Sequence, residues 1–142
     1  MVISVETQNE FHIHCACADS KQVKSFLEKH PIDVNYKNGM PLILAIRSIQ
    51  KYPAPSAENR LETMKTLVEA GADIHIHDDA PMYWALKLKN HVAVDYLFSQ
   101  QGNFSIDPEI IDDYLSEGKN LNQQTVERLT DIKKNSTMRL AL

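Results

Sequence analysis

One stretch of this chain occurs twice. Val34 to Ile46 reads VNYKNGMPLILAI, Ile74 to Leu86 reads IHIHDDAPMYWAL, and the two align without a gap. Each passes from an apolar residue through a polar turn to proline, an apolar cluster, alanine and a further apolar residue. Asn9 to Cys17, NEFHIHCAC, takes the same register when Ala16 is matched with Ala45 and Ala85. A unit this short cannot bury its apolar face alone, so repetition at this period demands a stack in which each unit covers the next.

The stretch following each alanine repeats as well. In LETMKTLVEAGAD, Leu61 to Asp73, the residues Leu61, Met64, Leu67 and Val68 share one helical face. Val23, Phe26 and Leu27 mark the corresponding face earlier, and Val94, Leu97 and Phe98 the later one. Spacings of three and four are helical and exclude a strand reading. Gly71 and Gly102 stand where a left-handed residue ends the second and third of these helices. Pro81 sits at a helix start, where its missing N–H costs nothing, and Asp107-Pro108 reads as an N-cap followed by the first helical residue. The unit is turn, short inner helix, turn, longer outer helix, and the fold class is all-α.

LETMKTLVEAGADIH resembles the outer helix and following loop of an ankyrin repeat, and GMPLILAI and APMYWAL resemble its TPLHxAA inner-helix signature. The resemblance spans residues 9 to 107, with Glu-Ala-Gly-Ala-Asp its most specific part. It implies one solenoid domain over residues 1–142, with repeats at about 9–35, 36–75 and 76–107. His14 takes the place of the signature histidine. The family pattern is broken where Phe11, Met40 and Ala80 replace the capping threonine, and where His12 replaces the first proline. Each lost cap costs about 1 kcal/mol, so modest stability is expected.

The second unit is longer than the first. Ala16 and Asp33 lie 17 positions apart, Ala45 and Asp73 28. The surplus falls near 50–60, QKYPAPSAENR, where Pro53 and Pro55 enforce an extended loop and Ser56 caps a helix resuming near Ala57. A neutral surface insertion is the simpler reading, and a binding loop led by Tyr52 the sharper one. Beyond Asp107, Ile110, Ile111, Tyr114 and Leu115 form one apolar stripe. Gly118 breaks it, and Val126, Leu129 and Ile132 form a second behind the cap candidate Asn122. This predicts a degenerate capping helix pair over about 108–134, with Glu127, Arg128, Asp131, Lys133 and Lys134 facing water and a loose tail from Asn135 to Leu142.

Two clusters invite metal chemistry. HIHCAC holds His12, His14, Cys15 and Cys17, but on an inner helix only His14 and Cys17 share a face. His75, His77, Asp78 and Asp79 lie in a turn that is polar in the resembled family. No GxSxG, HExxH, P-loop or dinucleotide fingerprint is present. The reading is therefore a non-enzyme with no cofactor and no bound metal. A metal- or redox-responsive regulator using His12, His14, Cys15 and Cys17 is the alternative.

In the resembled family the concave face binds other proteins through turn tips and inner helices. Carried onto this sequence, those positions are Tyr36, Lys37, Asn38, Ile76, His77 and Asp78 in the turns, and Arg47, Ser48, Lys87 and Leu88 on the inner helices. Ala18 and Asp19 are their counterparts in the first unit. Arg47 and Lys87 are equivalents in adjacent units, which predicts a small basic strip. Trp84 is expected in the core and Tyr83 partly exposed. The partner is a protein. Net charge is −4 and the 15 basic residues are scattered, which argues against nucleic acid. The longest apolar run, Met40 to Ile46, is too short for a membrane span. The N-terminus lacks a secretory pattern, and two cysteines spaced too closely to bridge on a helix fit a reduced, cytoplasmic monomer. Small divergent ankyrin proteins also occur among effectors of intracellular bacteria, so delivery into a host cell stands beside that location.

Overall fold

The computed structural model describes residues 3–117 and 120–141, with side chains to residue 136 at the C-terminal end. Gly118, the expected breaker of the last helix pair, lies outside the described residues. All regular structure among them is helical: α1 Val5–Ala16, α2 Ser20–Lys29, α3 Tyr36–Arg47, α4 Ala57–Glu69, α5 Ile76–Lys87, α6 His91–Ser99, α7 Pro108–Ser116 and α8 Gln123–Ala141. Side-chain caps set where most of them begin. Ser4, Asp19, Ser56, Asn90 and Asp107 each accept a backbone N–H from the first turn that follows. Asn122 does the same for α8 through the amides of Gln124 and Thr125.

Helices pair in sequence, α1 with α2 through α7 with α8, and the pairs stack. The first members, α1, α3, α5 and α7, pack in order as an inner layer, while α2, α4, α6 and α8 follow one another as an outer layer. Between the layers runs one continuous core that includes Phe11, Ile46, Leu67, Leu86, Ile111 and Leu129, each fully buried. Burial of a side chain of this size contributes about 1.5–3 kcal/mol. Tyr114 and Leu129 carry the core into the final pair, as the apolar stripes predicted.

The first unit enters the stack two residues out of the expected register. At the end of α5, Leu88, Lys89 and Asn90 donate to the carbonyls of Trp84, Leu86 and Ala85. At the end of α1, Cys17, Ala18 and Asp19 donate to Ile13, Cys15 and His14. His14 therefore corresponds to Ala85, and Ala16 to Lys87. The same shift places His12, not His14, opposite Tyr83 at the signature-histidine position. Ala18 and Lys89 also share a positive φ, 50° and 56°. The first unit has His14 where the later two have alanine, and no proline at the start of its inner helix, so aligning by alanine picks Ala16 and shifts the register by two.

α3 and α5 each open with a left-handed turn before the regular helix. Lys37, Asn38 and Gly39 have φ of 47°, 59° and 87°, and His77, Asp78 and Asp79 have 52°, 55° and 60°. Only Gly, and to a lesser degree Asn and Asp, enters this region cheaply, so Lys37 and His77 each carry about 1–2 kcal/mol of backbone strain. Gly39 is also required sterically, because a Cβ there would stand 2.5 Å from Ile76 Cγ2. Pro41 and Pro81 follow at the true helix starts.

The insertion resolves into three parts: a 3₁₀ turn at Ser48–Gln50, an irregular loop over 51–56 that bends at 51–53 where an extended run was expected, and additional length in α4, which has 13 residues against 10 in α2 and 9 in α6. Ser56 caps α4 as expected, through Asn59 N. The C-terminal tail departs from expectation, since α8 continues to Ala141 instead of fraying after Asn135. Thr137 to Ala141 contains Met, Arg, Leu and Ala, good helix formers, and no Gly or Pro to stop the helix.

Candidate functional site

The turn-tip and inner-helix residues singled out in the sequence separate into three groups. Lys37, Asn38, His77 and Asp78 are exposed on the two left-handed turns, and Arg47 and Lys87 are exposed at the ends of the two central inner helices. Tyr36, Ile76 and Leu88 are half-buried. Ile76 acts as a wedge between units, its Cγ2 filling the space left by Gly39. Ser48 does not belong to the face at all. It is 2% exposed and its hydroxyl donates to the Ala45 carbonyl at 2.6 Å, closing the end of α3.

Trp84 is not a core residue. It is half-buried on the inner face of α5, and the Arg47 guanidinium from α3 lies 4.8 Å from its ring. Tyr83 meets the Trp84 ring edge-on at 5.5 Å and 79°, and Lys87 Nζ stands 5.8 Å from the Tyr83 ring. A row of cation, indole, phenol and cation thus crosses from the second unit to the third. Each exposed cation–π contact contributes about 0.5–1 kcal/mol, enough to hold the long side chains in place without neutralising them. The pairing was missed in the sequence because Arg47 and Trp84 are 37 positions apart. Its one trace is the alignment of the two repeats, which puts Leu44 at the position of Trp84 and Arg47 at that of Lys87.

The corrected register extends this surface into the first unit, where Ile13 takes the position of Leu44 and Trp84. Ile13 is 62% exposed and Tyr83 38%, both high for large apolar side chains. The insertion borders the same surface, since Arg47 Nε donates to Gln50 Oε1 at 3.5 Å. Two residues on, Tyr52 is 97% exposed. Exposed aromatics beside arginine are the residue types enriched where proteins bind one another.

The histidines and cysteines proposed as a metal or redox cluster go to separate tasks. His12 is buried; its Nε2 accepts from the Gln8 amide at 3.0 Å, and its ring lies 5.3 Å from that of Tyr36. Burial, and secondarily the charge of Lys37, pull its pKa below the ordinary histidine value, while Asp33 opposes them. His14 packs edge-on against Phe26 at 4.9 Å. Cys15 is fully buried, and desolvation pushes its thiol pKa well up, away from reactive thiolate. Among the described residues no three His, Cys, Asp or Glu side chains are placed to hold a metal ion together.

His75 and Asp79 make a different kind of connection. His75 Nδ1 donates to Asp79 Oδ1 at 2.5 Å, and Asp79 Oδ2 accepts the Ser105 amide at 2.7 Å. Beside them a shallow cleft of 520 Å³ opens between the 103–106 segment and α8. Two of its polar groups are already engaged: Asp79 as described, and Arg128 with its guanidinium on the Phe98 carbonyl and 4.5 Å from the Phe98 ring. Arg128 was expected to face water; instead it closes the C-terminal end of α6. Lys133, also expected in water, reaches the surface and pairs there with Asp112 at 2.5 Å.

Compared with family models, with curated proteins and with solved structures, the chain finds no match in any of the three. No helix among the described residues is long and apolar enough to cross a membrane.

Proposed function

We propose that this chain is a divergent ankyrin-repeat protein whose work is to bind another protein, as adaptor or inhibitor, across its inner face. The observation that carries the reading is the row of exposed Arg47, Tyr83 and Lys87 around half-buried Trp84, built jointly by two units of the stack. Its aromatic rings offer large contact area at low entropy cost, and its cations supply orientation. The strained tips at Lys37 to Gly39 and His77 to Asp79 support the same face, because left-handed non-glycine residues persist where a shape is being held. A cytoplasmic setting, or delivery into a host cell, belongs to the same proposal.

The test is affinity capture with the intact chain and with a Tyr36→Ala, Arg47→Ala, His77→Ala, Lys87→Ala variant, read by mass spectrometry. All four side chains lie at the surface or half-buried, so the variant is expected to fold. A partner retained by the intact chain and lost by the variant is the expected result. A partner held equally by both would place binding elsewhere and sink the assignment of this face.

A further inference from the structure

The chemistry of the inner face specifies more than a binding site. After their left-handed turns, α3 continues as MPLILAIR and α5 as APMYWALK. Neither stretch contains a carboxylate, and each ends in an exposed cation, Arg47 or Lys87. The inner helices on either side carry carboxylates: Glu6 and Glu10 on α1, and on α7 Glu109 together with Asp112 and Asp113, which pair with Lys133 and Lys89. In a chain of net charge −4 the centre of this face is therefore a confined positive patch bordered by carboxylates. Apolar surface lies beside the cations, from Ile13 through Leu44 and Trp84 to Tyr83.

We propose that the occupant is a short acidic, amphipathic peptide segment of the partner, its carboxylates on Arg47 and Lys87 and its apolar side chains along Trp84, Tyr83, Leu44 and Ile13. This rests on the inner-face reading above and adds the partner's chemistry to it. Charge complementarity selects the segment, because a neutral or basic one would leave both cations unmatched. The first border limits its length, since an acidic segment running past α3 toward the first unit meets Glu6 and Glu10. It also disfavours a long polyanion such as nucleic acid, which needs many cations in a row to release its counterions.

The test is selection of random 12-residue peptides displayed on phage, run against the wild-type chain and against Arg47→Glu/Lys87→Glu. Synthetic copies of enriched peptides are then titrated, following the emission of the single tryptophan, Trp84. The wild type is expected to enrich peptides of net negative charge with interspersed apolar residues. Their binding shifts Trp84 emission and weakens at least tenfold in the charge-reversed variant and several-fold in Arg47→Gln/Lys87→Gln. Circular dichroism melts of both variants confirm that they fold. Enrichment of neutral or basic peptides that still perturb Trp84 would overturn the acidic partner and leave the inner face standing. Peptides indifferent to both variants and silent at Trp84 would overturn the face as well, and so would a failure to enrich anything. Tighter binding of an oligo-dT strand than of the acidic peptides would transfer the patch to nucleic acid.

Discussion

His12 shows how one side chain can connect a turn to the core. Gln8 donates its amide to His12 Nε2 and to the Asp33 carbonyl, and its own carbonyl accepts from Asp33 N at 3.1 Å. Accepting at Nε2 fixes the neutral ring with its proton on Nδ1, in keeping with the lowered pKa. The unfolded chain protonates this residue near its ordinary value, so as pH falls below that value the unfolded state takes up the proton first. Stability then declines with falling pH until the folded-state pKa is passed, by at most about 1.4 kcal/mol per pH unit. Melting temperatures between pH 7.5 and 5.5 should show the decline, and a His12→Gln variant should show a flatter profile; equal slopes would remove His12 as the cause. The sequence marked this histidine as interesting for the wrong reason. Two histidines and two cysteines within six residues resemble a ligand set, whereas the helix turns His12 toward a glutamine, His14 toward a phenyl ring and Cys15 into the core, and leaves Cys17 half-buried at its end. Arg47 and Lys87 could be found by aligning the units, but the indole beneath Arg47 could not, because which ring a guanidinium covers depends on how two helices pack.

Among elements, the junctions between units are each closed by a different side chain performing one task, satisfying the backbone of the next turn. Gln8 holds both backbone groups of Asp33. Asn35 donates to the Gly71 carbonyl at 3.1 Å and accepts from Asp73 N at 2.8 Å. Asp79 receives Ser105 N, steadied by His75, whose ring packs against Phe104 at 4.7 Å. Replacing Asn35 by alanine leaves two backbone groups without their partner and should cost about 1–3 kcal/mol. Hydrogen exchange should speed up at the Asp73 amide ahead of the amides of α5; protection unchanged there would mean that packing alone closes the junction. Helix pairs, caps and the insertion were legible because their causes are local: a spacing of three or four, a serine before a helix, two prolines one residue apart. The junction residues lie 25 to 38 positions from what they bind. No local pattern marks a glutamine or asparagine that will serve in this way.

For the molecule as a whole, stability is distributed along the stack, and the loop at 51–56 interrupts the chain without interrupting the packing. Lys51 to Ala54 are all exposed, whereas α3 and α4 remain packed on each other and on their neighbours. Limited trypsin treatment should cut first after Lys51 and leave two fragments that co-elute with unchanged helicity. Fragments that separate on size exclusion would show that the loop is needed to hold the second unit together. The three unlike junctions carry a further consequence. A glutamine fits one interface, an asparagine the next, an aspartate with its histidine the third. The units are therefore not interchangeable tiles but numbered ones, each keyed to the neighbour that follows. An array made by copying or transposing one of them would present the wrong key to the wrong lock, and this stack of helix pairs cannot lengthen by simple duplication as uniform arrays can.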